Sequence, residues 1–445
     1  MNNPTTARLP TTRREFIRLT GSGLGLLAFS AYAPRFLTDA AAANVPAPQR
    51  DKRILVLVQL AGGNDGLNTV VPYADDLYYN LRPTLGIKDV STMHKLDDQV
   101  ALAPPCGALA DLVQQNKFAV IQNVGYPNPN RSHFRSSEIW ETGSASETFL
   151  SDGWVGRYLD NCCEGAPSDD AGHDPTAVHS TTTLPETFFA KDAHSYYSIG
   201  NGGGRRGGGG GRMGRRGGLA APAKPLLDEL AQIPAPGAAG NFLSQTLMDA
   251  LVTEKRVQQI LDADRPQAQY PGSQLAQALQ RVSALISAGL ETRVYFCSQT
   301  GFDTHANQFN NHQNLLRDLS DSLAAFQKDL DARGLGQQVL TMTFSEFGRR
   351  PYENDARGTD HGTAAPLFVM GGALKQSGVI GQAPNLSIPD KGDLTYQIDF
   401  RQVYATVLHR WLDADPAKVL TGKFDELPFL GADSAPPSAP AKKAT

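Results

Sequence analysis

The chain is poor in cysteine, has no excess of basic residues and lacks a long uninterrupted apolar run. Only four of its 445 residues are cysteines, which is too few for a disulfide scaffold, and their spacing is not that of a zinc site. A pairing of Cys106 with Cys162 or Cys163 stays open. The 41 basic and 45 acidic side chains give a formal charge of −4, and this balance argues against a nucleic-acid partner.

The N-terminus has the pattern of a twin-arginine export signal. Arg13 and Arg14 precede a moderately apolar stretch, residues 19–33, and a small-residue run at 40–43. Glycines interrupt the apolar stretch, which is shorter than the roughly 20 residues of a membrane span. We therefore expect residues 1–43 to be a cleaved signal peptide. The protein would use the twin-arginine translocation machinery, reach the periplasm or be secreted, and keep no stable membrane span.

The remaining sequence alternates apolar runs with amphipathic segments. Residues 53–60, RILVLVQL, and 293–298, RVYFCS, are continuous apolar runs typical of strands that are buried on both faces. Residues 311–333 carry leucines at helical spacing and end before Gly334. This alternation predicts an α/β fold with a doubly wound, mainly parallel central sheet and helices on both faces.

Composition along the chain suggests how it is divided. We expect residues 44–432 to form one α/β domain in which residues 160–240 are a variable insertion that caps the strand ends. Within it, residues 201–218, NGGGRRGGGGGRMGRRGG, cannot form a core element because glycine maximises backbone entropy and the arginines stay solvated. We interpret them as a surface loop, with an arginine-rich contact to an acidic polymer as the alternative. Residues 433–445 are expected to be a disordered tail.

Side chains of the type that bind metal ions adjoin several predicted strands. Because strand ends are where an α/β sheet collects its functional groups, we expect these side chains to border one polar site. In an extended segment residues i and i+2 point the same way, so neighbouring members can ligate one ion. An isolated Asp or His near a turn is usually structural, but four such clusters are hard to explain by turn chemistry. The candidate ligands are Asp65, Asp303, His305, Glu346, Asp360 and His361.

Several motifs together resemble the DUF1501 family, exported proteins of undefined activity. They include LAGGNDGLNTVVPY, NPNRSHFRSSEIWETG, GFDTHANQ, TFSEFGRRPYEN and GTDHGTAAPLFVMGG. That family is in turn distantly similar to the alkaline phosphatase and sulfatase superfamily. The resemblance implies a doubly wound sheet whose strand ends carry one or two metal ions.

The resemblance also implies roles for single residues. Asp303, His305 and His361 would bind a first ion, with Asp65 and Glu346 nearby. Phe347 follows Glu346 where the superfamily has a histidine, so one ligand is missing. A single divalent ion, whether zinc, manganese or calcium, and a decayed site all stay open.

The segment that begins at Asn130 holds the implied nucleophile. Ser132 precedes a predicted helix, whose N-terminal N–H groups suit an anionic oxygen. His133 would be a ligand or general acid, and Arg131 and Arg135 would clamp the anion. The alternative is that Ser132 only caps the helix.

These expectations favour an exported metal-dependent hydrolase that acts on a phosphate or sulfate ester of a small molecule or polymer. The alternative is a non-enzymatic exported protein that keeps the fold for binding or for assembly of a secreted or surface product. The missing histidine favours the alternative. The retention of the carboxylates and the two histidines favours catalysis.

Overall fold

The computed structural model describes residues 53–162, 174–192, 194–200, 253–389 and 392–431. The predicted signal peptide, the Gly/Arg-rich loop, the C-terminal tail, Cys163 and most of the predicted insertion lie outside these residues. Within the described ranges, no helix combines the length and apolar character needed to cross a membrane.

A nine-stranded sheet forms the centre of the fold, with a small three-stranded sheet beside it. The strands of the central sheet are β1 (Ile54–Ala61), β5 (Phe118–Gly125), β6 (Ala177–His179), β7 (Tyr196–Ser198), β8 (Val294–Thr300), β9 (Val339–Phe344), β10 (Ala365–Met370), β11 (Gly378–Ile380) and β12 (Ile398–Asp399). The small sheet consists of β2 (Val70–Val71), β3 (His94–Lys95) and β4 (Ala101–Leu102).

The order of the central strands is β11-β5-β10-β9-β1-β8-β6-β7, and β12 pairs with β5. β1 runs parallel to both β8 and β9. β10 runs antiparallel to both of its neighbours, β5 and β9. The predicted, mainly parallel sheet is therefore confirmed, with β10 as the exception.

Helices cover both faces of this sheet. The α-helices are α1 (Asp76–Leu81), α2 (Gly107–Gln114), α3 (His133–Thr142), α4 (Trp154–Cys162), α5 (Gln274–Ser287), α6 (Gln308–Ala332), α7 (Phe400–Thr406) and α8 (Pro416–Val419). Residues 253–263 are also helical. Asp399 caps α7 in a capping box.

The continuous apolar sequence of β1 follows from this two-sided burial. Val56 and Val58 pack into a core with α2, α5 and α6. Leu55 and Leu57 point to the other face and pack with α3, α4 and α7. The two cores confirm the doubly wound architecture. Cys106 and Cys297 are buried free thiols within them.

One edge of the sheet gathers the candidate residues. β1, β5, β8 and β9 share a direction, because β1 is parallel to β8 and β9 and because β10 is antiparallel to both β5 and β9. Their carboxyl ends therefore meet at one edge, where the antiparallel β10 begins. The segments that leave β5, β8 and β9 and the segment that enters β10 carry the predicted site.

Candidate metal centre

Asp303, His305 and His361 converge at this edge. His305 Nε2 lies 2.9 Å from His361 Nε2. Asp303 Oδ1 lies 3.0 Å from His305 Nε2 and 3.2 Å from His361 Nε2. Bonds of about 2.0–2.2 Å to one tetrahedral ion place ligand atoms roughly 3.3 Å apart. The three atoms have nearly the separations of ligands to a single ion, as the convergence predicted from the sequence requires.

Each imidazole of the cluster is held through its Nδ1 atom. His133 Nδ1 lies 2.9 Å from Glu346 Oε1. His305 Nδ1 lies 3.2 Å from Asp360 Oδ1, and His361 Nδ1 lies 2.8 Å from the carbonyl oxygen of Arg131. Because these partners are acceptors, each Nδ1 carries the proton and each Nε2 presents a lone pair. Metal-binding histidines are generally oriented by a hydrogen bond of this kind from the ring nitrogen that does not bind the metal.

In these tautomers the nitrogen atoms at the centre of the site are acceptors, which is what a bound cation requires. The Nε2 lone pairs of His305 and His361 face each other and the Asp303 carboxylate, so the centre consists of electron-pair donors alone. A cation, or a proton shared between the two rings, offsets the repulsion among them. The donor set therefore fits a divalent metal ion.

His133 brings a third imidazole to the cluster from the start of α3. Its Nε2 atom lies 3.6 Å from Asp303 Oδ2, and the ligand atoms of His133, Asp303 and His361 all lie within 4.8 Å of one another. Its ring packs on Phe347, with centroids 4.9 Å apart. A separate segment thus supplies an imidazole beside the position where the motif after β9 lacks a histidine.

Arg349 orients Asp303, and the sequence analysis did not single it out. Its guanidinium is fully buried and donates to Asp303 Oδ1 at 2.8 Å, and it also donates to the carbonyl oxygens of Gly63, Phe302 and Thr359. Partial burial by itself would raise the pKa of Asp303. Interactions with Arg349, His361 and His305 together outweigh that effect and lower this pKa to about 2. Only the tertiary structure separates Arg349 from a surface arginine.

Two glycines allow the loops of the site to approach closely. Gly62 follows β1 with φ +119°, and a Cβ atom there would lie 2.3 Å from the backbone nitrogen of Asp303. A Cβ atom on Gly358 would lie 2.2 Å from the carbonyl carbon of His305. Both positions need glycine if Asp303 and His305 are to stay where they are.

Asp65 and Glu346 make contacts of their own, apart from the converging side-chain atoms of Asp303, His305 and His361. Asp65 is fully buried, and its Oδ2 atom accepts a 2.6 Å bond from Arg82 and another from Gln308. Burial would raise its pKa, but the Arg82 charge, His312 and the hydrogen bonds from Arg82 and Gln308 together outweigh this, and the pKa is lowered. Glu346 Oε1 also accepts from the backbone N–H of Gly62. The structure therefore places Asp65 in a separate ion pair, and it places Glu346 and Asp360 behind the histidines that they hold.

The other predicted catalytic residues lie at the start of α3. Ser132 is exposed and occupies the N-cap position, but its side chain makes no capping hydrogen bond. Arg135 donates to the carbonyl oxygens of Ser146 and Thr148 and lies over the ring of Phe149. Its guanidinium holds the segment after α3, so we do not include it among the residues that bind an anion.

The C-terminal part of the chain matches a known protein family. Residues 221–430 match the family model described as "Protein of unknown function (DUF1501)". The predicted resemblance to DUF1501 is confirmed. No curated protein matches the chain.

Solved structures similar to this chain include a periplasmic domain in complex with Zn, an alkaline phosphatase and a sulfatase. The C-terminal periplasmic domain of EcEptC from Escherichia coli, in complex with Zn, is 10% identical over 74% of this chain and 75% of that chain, with a TM-score of 0.31. An alkaline phosphatase from the Antarctic bacterium TAB5 is 11% identical over 72% and 92%, with a TM-score of 0.28. The PsFucS1 sulfatase from Pseudoalteromonas sp. is 10% identical over 84% and 72%, with a TM-score of 0.33. At TM-scores this low the similarity carries no argument about activity.

Proposed function

We propose that this protein is an exported, metal-dependent hydrolase that acts on phosphate or sulfate esters. The observation that carries the proposal is the convergence of Asp303, His305 and His361 at the carboxyl edge of the sheet. The 2.9 Å separation between His305 Nε2 and His361 Nε2 and the engaged Nδ1 atoms are features of a metal centre rather than of turn capping.

Asp303, His305 and His361 would hold the ion, and His133 is placed to join them. Three imidazole nitrogens and one carboxylate favour zinc or manganese, because calcium takes oxygen ligands. A bound ion of this kind polarises an ester oxygen and lowers the pKa of a hydroxyl or water. Because Arg82 already neutralises the Asp65 carboxylate, we expect one ion in each chain.

The chain itself supplies the groups around that ion. Ser132 adjoins His133 and is exposed, and its hydroxyl is not used as a helix cap, so it is the nucleophile that we propose. The first backbone N–H groups of α3 point out of its N-terminal end, where Ser132 is the N-cap, and suit a tetrahedral anion. The side chain of Arg131 is 41% exposed and ion-paired with Asp393, and we assign it to binding the anion in place of Arg135.

A second candidate is a non-enzymatic protein that uses the same fold for binding or assembly. It is favoured by Arg135, whose guanidinium is committed to the segment after α3. The two candidates differ in turnover, and only the hydrolase requires a bound metal ion.

The deciding experiment combines metal analysis with a panel of esters. The full-length protein would be exported in a host with twin-arginine translocation, purified without chelator, and analysed for metal by plasma mass spectrometry. Hydrolysis of phosphate and sulfate monoesters would then be measured on the same sample. We expect about one zinc or manganese ion per chain together with turnover. Protein that is inert on every ester, whether loaded with metal or unable to bind metal under any loading condition, would refute the hydrolase and support the non-enzymatic protein.

A further inference from the structure

A cavity adjoins the metal centre on the side of α6. It has a volume of about 800 Å³, and Asp303 and His305 form part of its wall. The rest of the wall includes Asn311, Asn314 and Asp318 from the first three turns of α6. A cavity of this size falls within the range of small-molecule sites. Because Asp303 and His305 belong to both the cavity wall and the cluster, the alcohol part of an ester whose anionic end faces the cluster would extend along α6.

In the part of the chain that the structure describes, the wall along α6 offers hydrogen-bonding groups and no Lys or Arg side chain. Asn311 and Asn314 each offer an amide donor and a carbonyl acceptor, and Asp318 offers a carboxylate. No Lys, Arg, Phe, Tyr or Trp side chain is among the described residues that line the cavity, and the imidazole of His305 is the one ring in that wall. A second anionic group would therefore meet the carboxylate of Asp318 without a Lys or Arg to compensate it, and a nucleobase or aryl ring would find only the imidazole that we assign to the metal ion.

The contacts of the wall residues leave hydrogen-bonding capacity for a ligand. Asp318 accepts from Gln299 Nε2 at 3.1 Å and from Ser322 Oγ at 3.2 Å, and both bonds fix the carboxylate. Arg317 donates to Asn314 Oδ1 at 3.1 Å, which fixes the amide. A held carboxylate and a held carboxamide one turn apart suit neighbouring hydroxyl groups, because each hydroxyl both donates and accepts.

We propose that the cavity binds the alcohol part of the ester and that this alcohol is a neutral polyhydroxylated group, as in a sugar monophosphate or monosulfate. This inference rests on the proposed hydrolase and specifies its substrate class. Specificity would arise because an ester that lacks the hydroxyls makes no hydrogen bonds with the remaining donors and acceptors of Asn311, Asn314 and Asp318.

The test compares sugar esters with esters that lack hydroxyls. Glucose 6-phosphate and glucose 6-sulfate would be set against ethyl phosphate and ethyl sulfate, with the metal-loaded full-length protein. The variants are Asn311→Ala and Asn314→Ala, and the control is Asn310→Ala, an exposed asparagine of α6 outside the cavity wall. We expect kcat/KM for the glucose ester to fall about tenfold in each cavity variant. Hydrolysis of the ethyl ester, the metal content and the control should be unchanged.

Two results separate this inference from the proposed function. Hydrolysis with equal kcat/KM for the glucose and ethyl esters, or equal losses in Asn310→Ala and Asn311→Ala, would overturn the sugar cavity and leave the hydrolase in place. If no ester is hydrolysed, the hydrolase fails and the cavity is judged by binding of glucose in saturation-transfer NMR. A glucose signal that disappears in Asn311→Ala would support the cavity, and the absence of any signal in the unmodified protein would refute it.

Discussion

Glu346 and Asp360 contact the cluster through histidine Nδ1 atoms, so their charge acts on the proposed ion indirectly. In Glu346→Gln the side chain keeps its shape but loses the negative charge that holds the proton on His133 Nδ1. We expect zinc affinity to fall roughly 10- to 100-fold, because partners of metal-binding histidines contribute at that level. A competition titration with a chromophoric chelator measures this loss.

Asp65 provides the matched control, because it is a second buried carboxylate at the same edge. Asp65→Asn breaks its buried pair with Arg82 and should lower the free energy of unfolding by roughly 3–5 kcal/mol. The folded fraction should bind zinc as tightly as the unmodified protein does. If Asp65→Asn weakens zinc binding more than Glu346→Gln does, the assignment of the two carboxylates is wrong.

His361 and Ser132 separate metal binding from turnover. His361→Ala removes an Nε2 atom that lies 3.2 Å from Asp303 Oδ1, so metal content and hydrolysis should fall together. Ser132→Ala should keep the metal and lower kcat at least 100-fold, since the proposed nucleophile is gone. His409→Ala changes a half-exposed histidine that pairs with Glu426 and should leave both quantities unchanged. Full turnover in Ser132→Ala would exclude the serine and leave a water molecule as the nucleophile.

Sequence patterns could identify the residues of the cluster but not the partners of each side chain. Asp303, His305 and His361 were predicted because they flank apolar runs. The pairing of Asp65 with Arg82 and the burial of Arg349 depend on segments that are distant in sequence, and a lone arginine in a motif carries no signal of either. The contact between the Arg135 guanidinium and the exposed ring of Phe149 likewise depends on the folded chain.

Among the elements, β10 has the greatest influence on the site. The apolar run at 365–371 indicates a strand but not its direction. His361 precedes this strand, whereas Asp303 and Glu346 follow theirs. These residues share an edge only because β10 is antiparallel to β9. A parallel β10 would have brought His361 to the opposite edge, so the predicted convergence itself required the exception to the parallel sheet.

The turn after β1 allows a direct test of how elements position the cluster. In Gly62→Ala the new Cβ atom would lie 2.3 Å from the backbone nitrogen of Asp303 at φ +119°. We expect a loss of roughly 1–3 kcal/mol in the free energy of unfolding and weaker zinc binding, because the Asp303 segment must move. Gly334→Ala is the control, since Gly334 also has a positive φ but no atom within 4 Å of the added Cβ. It should lose stability without losing zinc affinity, and equal zinc affinity in both variants would contradict the close-approach argument.

For the molecule as a whole, the layered architecture could be predicted and the short outer strands could not; β6 and β7 lie in the predicted capping insertion but belong to the central sheet. Continuous apolar runs identified β1 and β8, and leucine periodicity identified α6, because buried strands and amphipathic helices leave regular patterns. The short strands β6, β7, β11 and β12 have two or three residues each, which is too short for such a pattern. Their places in the sheet depend on pairing rather than on local sequence.

Stability should depend on pH through Glu141, which joins α3 to the segment around Thr187. Glu141 Oε2 accepts from the backbone N–H of Thr187 at 3.1 Å, and burial raises the pKa of this carboxyl to about 7. The folded protein therefore binds a proton that the unfolded chain releases near pH 4.5. The associated stability is complete below pH 4.5 and is lost as pH rises through 7, by roughly 3 kcal/mol.

Urea unfolding of the unmodified protein and of Glu141→Gln between pH 4.5 and 8 tests this linkage. Glutamine keeps the acceptor for Thr187 but does not titrate, so the variant should gain stability relative to the unmodified protein as pH rises. A difference between the two that stays constant over this range would show that Glu141 titrates normally.

The proposed centre joins parts of the chain that are far apart in sequence. His133 comes from the segment after β5, and Asp303 lies about 170 positions later, after β8. An ion bound by both side chains would cross-link the chain and close a loop of that length, as a disulfide does. Cross-links of loops this long restrict the unfolded chain by on the order of 5 kcal/mol. The ion would then act as a reversible staple, so chelation would speed unfolding, and a backbone cut between the two ligands would leave the halves joined for as long as the metal stayed bound.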